Sequence, residues 1–257
     1  MRRLVGVFAL VLFPALAQGY EVGAFGLGGQ TTSYLRLFGA VPVEGGRLFY
    51  ALAPYLRMAP GEGGLAVERL YLAVEVGEVG LTLGRFPYTF GEGRLFPYTW
   101  NAPSPAGGVE GVWGGFLTLY GEARLRLGYA WGPGGFAEAA WGDLKALVFP
   151  GGVGLAGSAR LGEVVVYGET MGLASGPRGL LGWSWAWGPG EVVLEAAYPL
   201  GVGLGWFGQV EGLGLSLRLA YGGGWSWGVG LGWEGLRVEV GKAGPVWRWG
   251  GSWSGEF

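Results

Sequence analysis

Leu213-Gly214-Leu215-Ser216-Leu217-Arg218-Leu219-Ala220-Tyr221 decides the fold. Every odd position is large and apolar and every even one is small or charged, which is the period of two of a strand with one apolar face. The next stretch repeats it: Trp225, Trp227, Val229, Leu231 and Trp233 alternate with Ser226, Gly228, Gly230 and Gly232. Upstream, Leu181, Trp183, Trp185 and Trp187 alternate with Gly182, Ser184 and Ala186, and Leu125, Leu127, Tyr129 and Trp131 with Arg124, Arg126 and Gly128. Alternation by itself suits a soluble sandwich as well as a sheet in lipid.

The turns narrow the choice. Gly77-Glu78, Gly121-Glu122, Gly142-Asp143, Gly162-Glu163, Gly190-Glu191, Glu211-Gly212 and Glu234-Gly235 separate alternating runs, and glycine supplies the positive φ of tight hairpins. Between consecutive members lie two strands and one connection of another kind, such as Gly132 to Gly135, Gly172 to Gly179 or Gly222 to Gly224. Each kind therefore keeps to its own side of an up-and-down sheet. The count reaches about 18 strands, with 16 as the next choice, near 21–29, 31–43, 47–58, 65–76, 79–86, 111–120, 123–131, 136–142 and 144–150, then 153–161, 164–171, 180–187, 192–199, 202–210, 213–221, 225–233, 236–242 and 246–257. The expected fold is all-β, a closed antiparallel up-and-down transmembrane β-barrel with both termini on one side.

The ends agree with export. Arg2 and Arg3, the apolar run Leu4 to Phe13, Pro14 and the small-residue site Ala15-Leu16-Ala17 have the order of a secretory signal peptide. The division expected is a signal peptide over 1–19 and an outer-membrane barrel over 20–257, with a long loop near 87–110. At the other end Trp247, Trp249, Trp253 and Phe257 share one parity, and Arg248, Ser252, Ser254 and Glu256 take the other. This segment resembles the terminal strand of bacterial outer-membrane barrels of the general-porin kind, which commonly ends in Phe and is read by the barrel-insertion machinery. The resemblance makes Trp253 and Phe257 the expected assembly signal. It implies a bacterial outer-membrane location, with outer-membrane lipid and the insertion machinery as partners, and it allows an oligomer.

Composition removes other classes. Gly is 58 of 257 residues, yet 50% of the chain is apolar and 15% aromatic, so it is neither disordered nor collagen-like. With no Cys and no His, thiolate and imidazole metal sites and Ser-His-Asp catalysis are absent. No spacing singles out a catalytic carboxylate pair, and neither an enzyme nor a cofactor is expected. Gly152-Val153-Gly154-Leu155-Ala156-Gly157 matches a dinucleotide-loop pattern, but the residues after it alternate as a strand rather than opening a helix. With Arg2 and Arg3 removed, 15 of the 17 basic residues remain against 19 acidic ones, a net charge of −4, which argues against nucleic-acid partners.

The charges sort by position. Strand parity points Arg36, Arg47, Arg57, Arg69, Arg124, Arg126, Lys145, Arg160, Arg218, Arg237 and Arg248 inward, against Glu75, Glu138, Glu169, Glu195 and Glu239. Such a face is either a basic lumen or an ordinary solvated one with neutralising pairs. The long connection holds Phe86-Pro87-Tyr88-Thr89-Phe90 and its near-copy Phe96-Pro97-Tyr98-Thr99-Trp100. It joins the fifth and sixth strands, where general porins carry the loop that narrows the lumen; the alternative is an extracellular loop packed on itself. The segment from Gly84-Arg85 to Arg94 also resembles, faintly, part of porin-like saccharide-export barrels. Candidate pore-lining or constriction residues are Arg85, Glu92, Arg94, Arg124, Arg126, Arg69, Arg218 and Arg237. Barrels of 16 to 18 strands enclose a channel unless plugged, so the expectation is passive diffusion of small hydrophilic solutes, with anions preferred if the lumen is basic. The rivals are a barrel closed to solutes that acts through its surface, and a secreted soluble β-protein.

Overall fold

The computed structural model describes residues 18–256; the predicted signal segment through Ala17, and Phe257, lie outside the described residues. There is no helix among them. Eighteen barrel strands run β1 Gly19–Leu27, β2 Gln30–Val43, β3 Gly46–Arg57, β4 Glu62–Val76, β5 Val79–Phe86, β6 Val112–Leu119, β7 Arg124–Ala130, β8 Gly134–Trp141 and β9 Leu144–Phe149. They continue as β10 Gly152–Leu161, β11 Val164–Leu173, β12 Gly176–Trp187, β13 Gly190–Tyr198, β14 Gly201–Val210, β15 Leu213–Tyr221, β16 Trp225–Trp233, β17 Leu236–Ala243 and β18 Val246–Glu256. Each pairs antiparallel with the next, and β1 pairs with β18 from Gly19↔Glu256 to Leu27↔Arg248. The ring has no edge strand, so every ladder N–H and C=O finds a partner without water.

The hairpins are tight for a stated reason. Glu211-Gly212 and Glu234-Gly235 both hold two consecutive positive φ values, 51° and 83°, and 44° and 85°, as the turn that matches strand twist requires. The glycine pattern at Gly152 opens β10, with no helix after it.

Four details differ from the sequence expectation. The turn placed at Gly190-Glu191 is Gly188-Pro189, because β13 already begins at Gly190. The connection placed at Gly172 to Gly179 is only Ala174-Ser175, because β11 runs on to Leu173 and β12 begins at Gly176; Arg178 is therefore a strand residue. Strand β4 starts at Glu62, and its register with β3 shifts between Ala51 and Leu52, so Glu68 is the extra residue of a bulge and turns inward. Alternation cannot survive a bulge, which inserts one residue without changing the sequence pattern around it. Finally, β1 already includes Gly19, a residue the sequence pattern assigns to the signal segment.

The apolar parity faces away from the lumen. Trp131, Trp141, Trp187, Trp225, Trp233, Trp247 and Trp253 all stay exposed on the barrel's outer side. The packed core lies inside instead, where the long connection between β5 and β6 meets the wall: Phe86, Tyr88, Phe90, Val112, Ala130, Phe136, Leu147, Ala156 and Met171 form one buried cluster.

Candidate functional site

The connection from Pro87 to Gly111 enters the lumen and crosses it. Two short ladders stiffen it, Thr89–Phe90 with Tyr98–Thr99 and Ala102–Pro103 with Val109–Glu110. Tyr88 stacks on Trp100 at 4.1 Å between ring centroids, and both rings meet Phe136 of β8 edge-on. The Tyr88 hydroxyl donates to Glu138 at 2.7 Å. Burial and that carboxylate push its pKa far above the usual phenol range, so it stays a donor.

The outbound tip lies against two buried carboxylates, and Glu195 is the one that holds it by hydrogen bonds. Glu195 on β13 has no exposed surface. It accepts from the backbone N–H groups of Arg94 (2.6 Å), Leu95 (2.9 Å) and Phe96 (2.9 Å), and from the Tyr167 hydroxyl (2.7 Å). Glu169 on β11 lies against Gly91, whose φ is +82°; a Cβ there would collide with the Glu169 carboxylate oxygen. Only glycine fits that point on both counts. Arg178 completes the grip, donating to the Phe96 carbonyl at 2.5 Å and lying 5.4 Å over the Tyr98 ring.

The return limb rests on the opposite wall. Arg36 forms ion pairs with Glu21 and with Glu68, the latter at 2.7 Å, and donates to the Ala106 carbonyl at 3.3 Å. Ala106 packs between Ala53 and Ala66. Loop contacts thus run from β1, where Phe25 meets Gly107, round to β14, where Gly203 and Gly205 meet Leu95 and Phe96. The inward side chains of β15 to β18 face the loop across the remaining space.

The residues singled out in the sequence separate into three groups. Arg85 lies on the outward parity, paired with Glu110 at 2.5 Å, and its guanidinium sits over Trp113. Glu92, Arg94, Arg124 and Arg126 secure the loop and its wall: Glu92 with Lys145 at 2.5 Å, Arg94 with Glu191, and Arg124 and Arg126 both on Glu138, at 3.6 and 3.1 Å. Arg218 and Arg237 line the uncovered wall, and Arg69 follows the bulge opposite Ala51, exposed. Gly182 and Ser184, small residues of the inward parity, lie on the loop-covered wall, where the Tyr167 ring crosses Gly182.

Sequence reasoning places Glu169 and Glu195 inward without a role and misses Arg178 and Glu68. The partners of both carboxylates lie on a loop some eighty to a hundred positions away, so no local pattern could name them.

The chain is similar to solved structures of engineered porins. A mutant of Rh. blastica porin superimposes with a TM-score of 0.52 at 11% identity, covering 93% of this chain and 99% of that one. A triple mutant of Rhodopseudomonas blastica porin gives 0.51 at 11%, with the same coverage. The fold is general-porin-like. No protein-family profile matches the chain, and no curated protein matches its sequence. The likeness therefore concerns architecture alone.

Proposed function

We propose that this chain is an outer-membrane porin, a non-enzymatic channel for passive diffusion of small hydrophilic solutes with a preference for anions. The observation that carries this reading is the wall from β15 to β18. Its inward positions are mostly Gly214, Ser216, Ser226, Gly228, Gly230, Gly232 and Gly250, too small to fill the space, together with Arg218, Arg237 and Arg248. The Arg237 and Arg248 side chains point into the barrel and still keep 63% and 42% of their surface exposed, so solvent occupies that side. Two acids share that face: Glu239, 4.0 Å from each of those two arginines, and Glu256 at the far end of β18. Arg218 lies over the Phe207 ring and forms no ion pair among the described residues.

An excess of positive charge beside a low-dielectric wall enriches anions. Screening over about 8 Å at physiological ionic strength confines the preference to the passage between that wall and the loop. The outward tryptophans supply interfacial belts. A cleaved signal over 1–19, recognition of Trp253 and Phe257 by the insertion machinery, and oligomer formation complete the proposal.

Planar-bilayer recording of the refolded protein is the test. Reversal potentials in a salt gradient should show anion preference that weakens at high salt and in the Arg218→Glu, Arg248→Glu double variant. Cation preference in the unaltered protein overturns the charge argument, and bilayer insertion without conductance identifies a barrel closed to solutes.

A further inference from the structure

Every short turn on the loop-bearing rim is uncharged: Gly28-Gly29, Met58 to Gly61, Trp131 to Pro133, Pro150-Gly151, Ala174-Ser175, Pro199-Leu200, Gly222 to Gly224 and Gly244-Pro245. The opposite rim carries Glu44, Glu78, Glu122, Asp143, Glu163, Glu211 and Glu234 in its turns. The outer face is as sharply sorted. Among the described strand residues only Arg85 and Lys242 direct a charge outward; the other Arg, Lys, Asp and Glu side chains share ladder faces with lumen residues. Both outward charges are basic and both lie near the uncharged rim. Arg85 is neutralised by Glu110. Lys242 forms no ion pair among the described residues.

Lys242 instead stands in an aromatic frame. Its ladder partners are Trp227 on β16 and Trp247 on β18. Those two rings meet edge-on, 5.6 Å apart at 90°, and the ammonium lies 5.5 Å from the Trp247 ring centroid. One rung toward the rim, Trp225 packs against Tyr221 at 5.2 Å. Toward mid-barrel the same faces continue as Val229, Leu231, Val238, Val240 and Trp249.

We propose that Lys242, framed by Trp225, Trp227 and Trp247, is the headgroup site for one phosphate-bearing anionic lipid in the leaflet at the loop-bearing rim. Lysine offers phosphate a point charge. Indole N–H groups at an interface add donors while their rings stay in the apolar layer. The aliphatic residues below take the acyl chains, and the carboxylates near this rim, Glu62 and Glu110, are each paired with an arginine, Arg57 and Arg85. The inference rests on the membrane-spanning reading and adds a specific lipid contact to it.

The test is native mass spectrometry of the detergent-folded barrel titrated with dioleoyl phosphatidylglycerol or dioleoyl phosphatidylcholine. A lysine beside an anionic headgroup is worth roughly a fivefold preference, so the first bound lipid should favour phosphatidylglycerol by about that factor. The preference should vanish in Lys242→Gln and persist in Lys242→Arg. Equal retention of the two lipids by the unaltered protein, or an undiminished preference in Lys242→Gln, overturns the site while leaving the barrel in place. A chain that stays soluble without detergent and takes up neither lipid overturns the membrane-spanning reading and the site with it.

Discussion

A carboxylate with no exposed surface must be answered by donors, and Glu195 is answered by Tyr167 and three consecutive backbone N–H groups of the loop. Glu195→Gln keeps one acceptor oxygen and turns an NH2 group toward N–H donors, so loop docking should weaken by about 1 to 3 kcal/mol. Trypsin should then cut after Arg94 in the folded barrel, and open-channel noise should rise; protection equal to that of the unaltered protein would show that Glu195 does not hold the tip. The alternation of β13 makes the inward direction of Glu195 legible, but not its partners. At the turns the reasoning is wholly local. Glu211 and Glu234 sit at φ 51° and 44°, a region that costs an ordinary residue roughly 1 to 2 kcal/mol and that Asn tolerates better. Replacing both by Asn should raise the urea midpoint for unfolding in detergent, and a lowered midpoint would mean the Glu side chains contribute something the backbone argument omits.

Strands are readable wherever one residue in two faces the same surroundings. Strands β15 to β17 have long outward side chains and small or charged inward ones, so period two survives in the sequence. It fails at the Glu68 bulge, and it is hidden at Arg178, where Gly176, Pro177 and Gly179 look like a turn but continue a strand. The lipid-facing assignment is tested on β15. Leu217 is exposed on the outward face and Ser216 half-buried on the inward one. Near mid-membrane, Leu217→Arg should cost roughly 2 to 4 kcal/mol and Ser216→Arg much less, read from unfolding in lipid vesicles. Equal costs would mean the apolar face is not in lipid. Gly228 is a poor inward control, because a Cβ there would lie 3.2 Å from the Arg248 guanidinium.

At the scale of the whole molecule, the ring and the loop are held by different forces. The ring is closed by backbone ladders from β1 to β18 and back to β1, and none of those bonds involves the loop. The loop is held by side chains: the stacked Tyr88–Trp100 pair, the fully buried Phe90, and the carboxylates on β8, β11 and β13. Sequence length and strand count announce the ring; whether the loop enters it depends on contacts with strands β1 to β14, which no segment of sequence encodes alone. Replacing residues 90–108 by a short Gly-Ser link separates the two. Each large apolar side chain lost from the cluster forfeits roughly 1.5 to 3 kcal/mol, yet the ring of hydrogen bonds stays complete, so heat-modifiable migration of a folded barrel should persist at a lower transition temperature. Single-channel conductance should rise. Anion preference should fall, because Arg218 and Arg248 act over about 8 Å and the widened lumen places most of its cross-section beyond that range. Unchanged conductance would mean the passage is narrowest elsewhere, and loss of the folded barrel would mean the internal cluster is needed to close the ring.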